Sequence, residues 1–135
     1  MNAVDTSVVV PAASPWHDGH ARARAVCSGD VRLPAHVAVE TFAVLTRFPP
    51  PHRVSPSIAR QWLARRFGNE PVVVFPAAGY PHLLDGVVSG GIAGVAVYDA
   101  LVGATARAAG AMLVTMDRRA ARTYEVMGVP LRLLD

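Results

Sequence analysis

Four acidic residues lie within or directly after strongly apolar segments: Asp5, Glu40, Asp99 and Asp117. These segments place no Arg beside Glu40 or Asp99, and the chain contains no Lys. The residues three and four places from Asp99 are all apolar or Gly, so a helix there would bury its carboxylate among hydrocarbon. An unpaired ionised carboxylate in such surroundings costs on the order of several kcal/mol, so it must find a cation or take up a proton. A divalent metal ion with oxygen ligands would satisfy all four acids together, and that is the chemistry we expect.

The basic residues narrow the class of protein. All 13 are Arg, and the absence of Lys excludes a response-regulator receiver and argues against a haloacid-dehalogenase-type phosphatase. The formal net charge of +3 favours an anionic partner, and the planar Arg fork suits phosphate. The candidate phosphate-binding groups are Arg118, Arg119 and Arg122 on one helix, or Arg60, Arg65 and Arg66 on another, and the alternative for each Arg is a solvated helix face.

Three of the four acids also have a simpler interpretation, which the sequence leaves open; Asp99, with no polar group around it, does not. Asp117 is suited to cap the helix that begins at Arg118. Asp5 could be a strand-end acid that accepts hydrogen bonds from local backbone, and Glu40 could be a half-exposed helical residue. The five His residues show no metal-ligand spacing and are interpreted as surface or capping groups.

The apolar pattern predicts the elements that would position these acids. Strands are expected over residues 3–10, 31–34, 72–75, 111–116 and 130–133. Helices are expected over residues 16–27, 36–47, 82–88, 94–109 and 118–127, with one more from Ser55-Pro56 to Phe67. This alternation predicts one α/β domain over residues 1–135, in which helices cover both faces of a parallel sheet. Asp5 and Asp117 would lie near the carboxyl ends of strands, where sites form in such sheets, and helices would deliver Glu40 and Asp99.

Four segments together resemble the PIN domain, and most closely the VapC toxins of bacterial toxin–antitoxin pairs. They are Val4-Asp5-Thr6-Ser7, Leu33-Pro34-Ala35 leading into Val39-Glu40-Thr41, Val97-Tyr98-Asp99-Ala100-Leu101, and Leu113 through Ala120 with its Thr115-Met116-Asp117 core. The resemblance covers the whole chain in order and spacing. It implies a three-layer α/β/α fold and places Asp5, Glu40, Asp99 and Asp117 on the acidic positions of the family. Thr6, Ser7 or Thr115 would supply a supporting hydroxyl, and Arg118 and Arg119 stand where some relatives carry a further acid.

The resemblance also implies an Mg²⁺- or Mn²⁺-dependent endoribonuclease that cleaves structured RNA such as tRNA or ribosomal RNA. The expected metal ligands are Asp5, Asp99 and Asp117, while Glu40 would orient a water molecule or help to hold a second ion. Attack by water would leave a 5′-phosphate and a 3′-hydroxyl. The alternative is a PIN fold that binds RNA or protein without cleaving it.

Partners and location follow from the same resemblance and from composition. A homodimer is implied, as is inhibition by a small VapB-like antitoxin. We expect the antitoxin groove on the apolar helices around Phe42, Leu45 and Trp62. Cys27 is the only Cys and cannot form an internal disulfide, which favours a reducing cytoplasm, and no segment is expected to span a membrane.

Overall fold

The centre of the fold is a sheet of short parallel strands in the computed structural model, which describes residues 1–68 and 72–135. The strands are β1 (Asn2–Val4), β2 (Val31–Arg32), β3 (Met112–Thr115) and β4 (Leu131–Leu133), in the order β2-β1-β3-β4. Every pairing is parallel, and Val4 lies opposite Val114 in the register of the two inner strands. All four strands therefore end at one edge of the sheet.

Seven α-helices occur among the described residues. They are α1 (Thr6–Ala12), α2 (His20–Cys27), α3 (Ala35–Arg47), α4 (Pro56–Phe67), α5 (Tyr80–Ser89), α6 (Ala96–Ala108) and α7 (Arg118–Val126). Gly110 follows α6 with a φ of +70°, as expected for a left-handed helix stop.

Both faces of the sheet are covered. Successive residues of a strand point to opposite faces, yet Ala3 and Val4 are both buried, and so are Leu113 and Val114. Only a sheet with helices on each side shows this pattern. The predicted three-layer α/β/α fold with a parallel sheet is confirmed.

The prediction of a strand over residues 3–10 is wrong beyond Val4. The chain turns at Asp5 and continues as α1, in which Val8, Val9 and Val10 are all buried. β-branched residues favour strands only weakly, and burial on several sides of a helix outweighs that preference. Pro11 lies inside the last turn of α1, which ends at Ala12.

The segment 72–75 is not a strand of the sheet, contrary to prediction. It makes one parallel bridge, in which Val73 donates to the carbonyl of Leu33 and accepts from the backbone N–H of Ala35. The ladder stops there because the chain enters α3 at Ala35 and leaves no extended partner. Val74 is exposed, as expected outside a buried sheet.

Smaller differences concern the helices. The helix predicted from residue 16 begins at His20, and Trp16 lies in the preceding turn. Ser55 precedes α4 without a side-chain capping bond, and Ile58, expected in the apolar stripe of α4, is exposed. No helix within residues 1–68 or 72–135 combines the length and apolarity needed to cross a membrane.

Gly103 sets the distance between α6 and α7, and it provides a test of the fold. A Cβ atom added there would lie 2.8 Å from Cγ2 of Val129 and 3.0 Å from Cδ1 of Tyr124. Overpacking costs about 1–3 kcal/mol, while Ala in place of Gly returns about 1 kcal/mol of helix propensity. We therefore expect Gly103→Ala to lower the free energy of unfolding by up to about 2 kcal/mol in urea titrations.

Gly86→Ala in α5 is the matched control. Its added Cβ would meet the flexible end of Met127 at 3.3 Å, which can move aside. This variant should be neutral or more stable than the parent chain. Equal destabilisation by both substitutions would contradict the close approach of α6 and α7.

Candidate active site

Asp5 and Asp117 occupy equivalent places on neighbouring strands. Asp5 directly follows β1 and precedes α1, while Asp117 follows β3 by two residues and precedes α7. Because β1 and β3 are paired in parallel, their carboxyl ends lie side by side. Asp5 was predicted inside a strand, but it lies at the strand end, and this correction strengthens the expected convergence at the sheet edge.

The Asp5 carboxylate is buried and is held by side-chain hydroxyl groups. Ser7 Oγ donates to its Oδ1 at 2.5 Å, and the buried Tyr124 hydroxyl donates to its Oδ2 at 2.8 Å. The alternative of an acid bound to local backbone is therefore not what the structure shows. Desolvation raises the pKa of Asp5, the hydroxyls of Ser7, Thr115 and Tyr124 offset part of that rise, and the Asp117 charge adds to it.

Ser7 and Thr115 connect the two strand ends. The Oγ of Ser7 accepts from the backbone N–H of Met116 at 2.8 Å and lies 3.2 Å from Oγ1 of Thr115. Thr115 Oγ1 in turn accepts from the backbone N–H of Asp117 at 3.1 Å. Of the three hydroxyls expected to support the site, Ser7 and Thr115 do so, whereas Thr6 Oγ1 makes no hydrogen bond to any described residue.

Asp117 caps α7, as its simpler interpretation proposed. Its Oδ1 accepts from the backbone N–H groups of Arg119 at 2.9 Å and Ala120 at 3.1 Å. Capping uses a single oxygen of the carboxylate, and the charge of Asp117 still acts on both Asp5 and Asp99. The capping role therefore orients Asp117 at the sheet edge and does not remove it from the acidic group.

Asp99 shows that the four acids converge. Its pKa is raised from 3.8 to about 6, first by desolvation and then by the charges of Asp117, Asp5 and Glu40, in that order, while Arg119 lowers it. Like charges act in this way only when they are near one another. The helices α3 and α6 thus bring Glu40 and Asp99 to the edge where β1 and β3 end.

His36 belongs to the rim of this group, although its sequence indicated only a surface or capping residue. It lies one turn before Glu40 on α3, and its Nε2 is 3.6 Å from the Glu40 Oε2. Its ring also stacks on that of Tyr98. The i, i+4 spacing of His36 and Glu40 was the available signal, but the sequence did not show that both face the other acids.

The arginines divide by their contacts. Arg119 lies near enough to Asp99 to lower its pKa. Arg118 pairs with Asp135 at 3.3 Å, and Arg66 donates to the carbonyl of Cys27 at the end of α2. Arg119 is therefore the arginine that the structure connects to the acidic group, and Arg66 has a structural contact.

The charge of this edge suits a cation. Three buried or half-buried carboxylates and the half-exposed Glu40 oppose one another, and Arg119 offsets only part of that repulsion. Carboxylate oxygens are the ligands that Mg²⁺ and Mn²⁺ prefer. In the side-chain positions of residues 1–68 and 72–135, no three His, Cys, Asp or Glu groups enclose an ion directly. The donor set therefore fits a hydrated ion held by one or two carboxylates at a time, as is usual for Mg²⁺.

Comparison with known proteins places the chain. The family model for the PIN domain matches residues 3–126. Ribonuclease VapC40 of Mycobacterium tuberculosis is 45% identical over 134 residues, which cover 99% of each chain. Ribonuclease VapC27 of the same organism is 38% identical over 128 residues, which cover 94% of this chain and 92% of that protein.

Solved structures share the fold at low sequence identity. VapBC2 from Rickettsia felis, bound to a DNA fragment from its promoter, matches with a TM-score of 0.70 at 16% identity, covering 99% of this chain and 98% of that chain. VapC20 of M. tuberculosis, a toxin that cleaves the sarcin–ricin loop, matches with a TM-score of 0.68 at 20% identity, covering 90% and 94%. With a matching family model over most of its length and relatives of this similarity, the chain belongs to the PIN domain family.

Proposed function

We propose that this chain is an Mg²⁺- or Mn²⁺-dependent endoribonuclease that acts as the toxin of a toxin–antitoxin pair. Asp5, Glu40, Asp99 and Asp117 are its proposed catalytic residues and metal ligands. The observation that carries the proposal is the raised pKa of Asp99, to which the other three acids each contribute. A fold gains nothing in stability from four mutually repelling carboxylates, so their grouping at one edge serves a ligand.

The names of the relatives support the same activity. VapC40 and VapC27 are both named ribonucleases, and the first matches nearly the whole chain at 45% identity. Cleavage of tRNA or ribosomal RNA, a homodimer, a cytoplasmic location and a single domain over residues 1–135 remain predictions for this chain.

The residues of the site have separable tasks. Asp5, Asp99 and Asp117 would hold the hydrated cation, one or two of them directly and the others through its water molecules, with Ser7 and Tyr124 fixing the orientation of Asp5. Glu40, whose side chain is half-exposed, would orient the attacking water, and Arg119 would bind a backbone phosphate. When bound, the cation supplies positive charge that polarises the phosphodiester and makes water a stronger nucleophile. Water attack leaves a 5′-phosphate and a 3′-hydroxyl.

Metal dependence is the first test of this proposal. RNA cleavage should stop in EDTA and return when Mg²⁺ or Mn²⁺ is added in excess, measured by gel analysis of labelled RNA. Asp117→Asn should lower the cleavage rate by about 100-fold or more, the scale on which loss of one preorganised charge acts. Asn caps helices as well as Asp does, so the variant should melt close to the parent temperature.

Asp85→Asn is the matched control, because Asp85 is an exposed acid on α5. It should cleave at the parent rate. If cleavage persists after exhaustive removal of metal, the mechanism is wrong. If the intact chain cleaves no RNA even with Mn²⁺, the alternative of a catalytically silent binding module is favoured.

The raised pKa of Asp99 also has a consequence for stability in the absence of metal. In the unfolded chain this carboxyl has its ordinary pKa of 3.8, and in the folded chain the value is about 6. Between these values the folded state binds more protons, so the free energy of unfolding falls as the pH rises through this window. Above this pH window Asp99 is ionised in both the folded and the unfolded state, and the whole decrease in the free energy of unfolding remains.

Removing the charge should therefore stabilise the metal-free fold. We expect Asp99→Asn to abolish cleavage and, in EDTA at pH 7, to be more stable than the parent by roughly 1–2 kcal/mol, after allowance for the half-exposure of Asp99. The difference should shrink towards pH 4, as followed by urea unfolding at several pH values. Mg²⁺ should stabilise the parent more than the variant.

Asp85→Asn again serves as the control and should show no such dependence on pH. A variant Asp99→Asn that unfolds more easily than the parent at pH 7 would identify Asp99 as a structural acid. The proposal that Asp99 is a metal ligand would then be wrong.

The proposed antitoxin has a groove available between α3 and α4. A cavity of about 440 Å³ is lined mainly by apolar side chains, among them Val39, Phe42, Leu63 and Phe67. Leu45 was predicted to lie on the surface of this groove, but it is buried. Phe42 and Trp62 are partly buried. Val39 lies between this groove and Glu40, so a segment bound there could extend a basic side chain to the acids.

A charge placed in the groove should weaken inhibition. Val39 is 72% exposed, so Val39→Glu should fold, yet it should raise the concentration of the neighbour-encoded antitoxin that halves cleavage by about tenfold or more. Each variant is compared with its own uninhibited rate. Light scattering at micromolar concentration should give the mass of a dimer. If light scattering gave the mass of a monomer, and the antitoxin inhibited the parent chain and Val39→Glu equally, the proposed dimer and the proposed antitoxin groove would both be contradicted.

A further inference from the structure

Tyr98 presents an open aromatic face beside the acidic group. It precedes Asp99 on α6, and 55% of its surface is exposed. Its ring stacks on the ring of His36, with 5.4 Å between centroids and 10° between planes. Near-parallel rings whose centroids are this far apart are offset, so His36 covers only part of one face of Tyr98 and leaves much of the ring open. We refer to this pair as the Tyr98–His36 stack.

Each residue of the Tyr98–His36 stack adjoins one of the four acids. His36 Nε2 lies 3.6 Å from the Glu40 carboxylate, a longer separation than a hydrogen bond. Tyr98 directly precedes Asp99 in the first turns of α6. The aromatic surface thus begins where the carboxylates end, and a ligand that spans both would be charged at one end and flat and apolar at the other.

The surroundings of the stack are apolar. Val39 and Val95, each one helical turn from a member of the stack, are 72% and 71% exposed. His36 also lines a cavity of about 310 Å³, together with Val39, Tyr80 and Leu101. None of the described residues that line this cavity is an Arg, so this surface is not suited to bind phosphate.

We propose that the Tyr98–His36 stack is the platform on which one unpaired base of the RNA substrate rests, next to the phosphodiester that is cleaved. The inference depends on the proposed ribonuclease function and adds the form of the substrate at the site: a nucleotide whose base has left its own stack. Single-stranded RNA is bound in this way because every base offers an aromatic face to Tyr or His. The backbone phosphate of that nucleotide is thereby directed to the acids and Arg119.

A second copy of the chain is the other occupant that an exposed apolar rim could receive. The parallel ring geometry and the contact with Glu40 favour the base, because a flat ring continues the stack while its phosphate reaches the acids. Experiment distinguishes the two occupants, because a base contributes only when the ligand carries bases.

The test compares RNA with a ligand that lacks bases. Every protein carries Asp117→Asn to prevent cleavage, and binding is measured by fluorescence anisotropy. The ligands are a short mixed-sequence single-stranded RNA and an abasic ribose-phosphate oligomer of the same length. Tyr98→Ala should bind the RNA about 5- to 100-fold more weakly and the abasic oligomer equally well, since one stacked base is lost. Tyr98→Phe, which keeps the ring, should bind both like the parent.

Trp16→Ala is the matched control. Trp16 is 46% exposed and stacks on His52 with 4.1 Å between centroids, so it is also an aromatic ring on a histidine. It contacts Phe48, which follows α3 twelve residues after His36, roughly 18 Å further along the helix. Its loss should leave RNA binding unchanged.

Three outcomes would overturn the inference. Binding of RNA that is unaffected by Tyr98→Ala would exclude the platform. An equal loss with both ligands, or a change in mass by light scattering, would make Tyr98 a structural residue or a contact between copies. Cleavage of total RNA by the chain with its four acids intact, measured in parallel with Mn²⁺, separates these results from failure of the proposed function. If the chain with its four acids intact neither cleaves nor binds RNA, the proposed ribonuclease function and the proposed base platform are both wrong.

Discussion

Repulsion among the carboxylates at the carboxyl ends of β1 and β3 is the constraint around which the rest of this structure is arranged. Asp5, Asp99 and Asp117 are each buried or half-buried, and Glu40 adds its charge from α3. No Lys is present to neutralise them. The folded chain tolerates this charge because desolvation and repulsion raise the pKa of Asp5 and Asp99, which makes proton uptake easier. A bound cation would remove the same penalty without a proton.

The core is built to hold these acids in place. Tyr124 is almost wholly buried on α7, yet its hydroxyl reaches the Asp5 carboxylate, so one side chain belongs both to the core and to the site. Ser7 and Thr115 connect the ends of the two strands, and each hydroxyl accepts a backbone N–H near Asp117. The close approach of α6 at Gly103 leaves room for the Tyr124 ring. Groups oriented by such contacts need little rearrangement when a ligand arrives.

Around this edge the surface changes from charged to apolar. Arg119 acts on Asp99 from α7, and the Tyr98–His36 stack and the exposed Val39 adjoin the acids from α6 and α3. A nucleic-acid substrate presents the same combination, with phosphates along its backbone and flat bases beside them. The groove between α3 and α4 adjoins the same rim at Val39, so an inhibitor bound there would lie next to the substrate path.

The sequence by itself determined the class of fold and the identity of the acids. Alternation of strand-like and helix-like segments predicted a parallel sheet covered on both faces, because parallel strands need helical crossovers and bury both of their faces. The helices α3, α6 and α7 were predicted within two residues at each end, because their apolar periodicity and end signals are local. The four acids could be singled out because they lie within or directly after apolar segments, which place no Arg beside Glu40 or Asp99.

Only the tertiary structure decided which secondary structure the segments of ambiguous pattern adopt. Residues 6–10 read as a strand, but they form α1, since an apolar run is compatible with either element and the packing around it makes the choice. Val73 forms one bridge and no strand, because its partner chain turns into α3 at Ala35. The sequence could not show that Asp117 both caps α7 and acts on Asp99, nor that His36 and Tyr98 meet. These relations join residues far apart in the chain, and long-range proximity is set by packing, which local pattern does not encode.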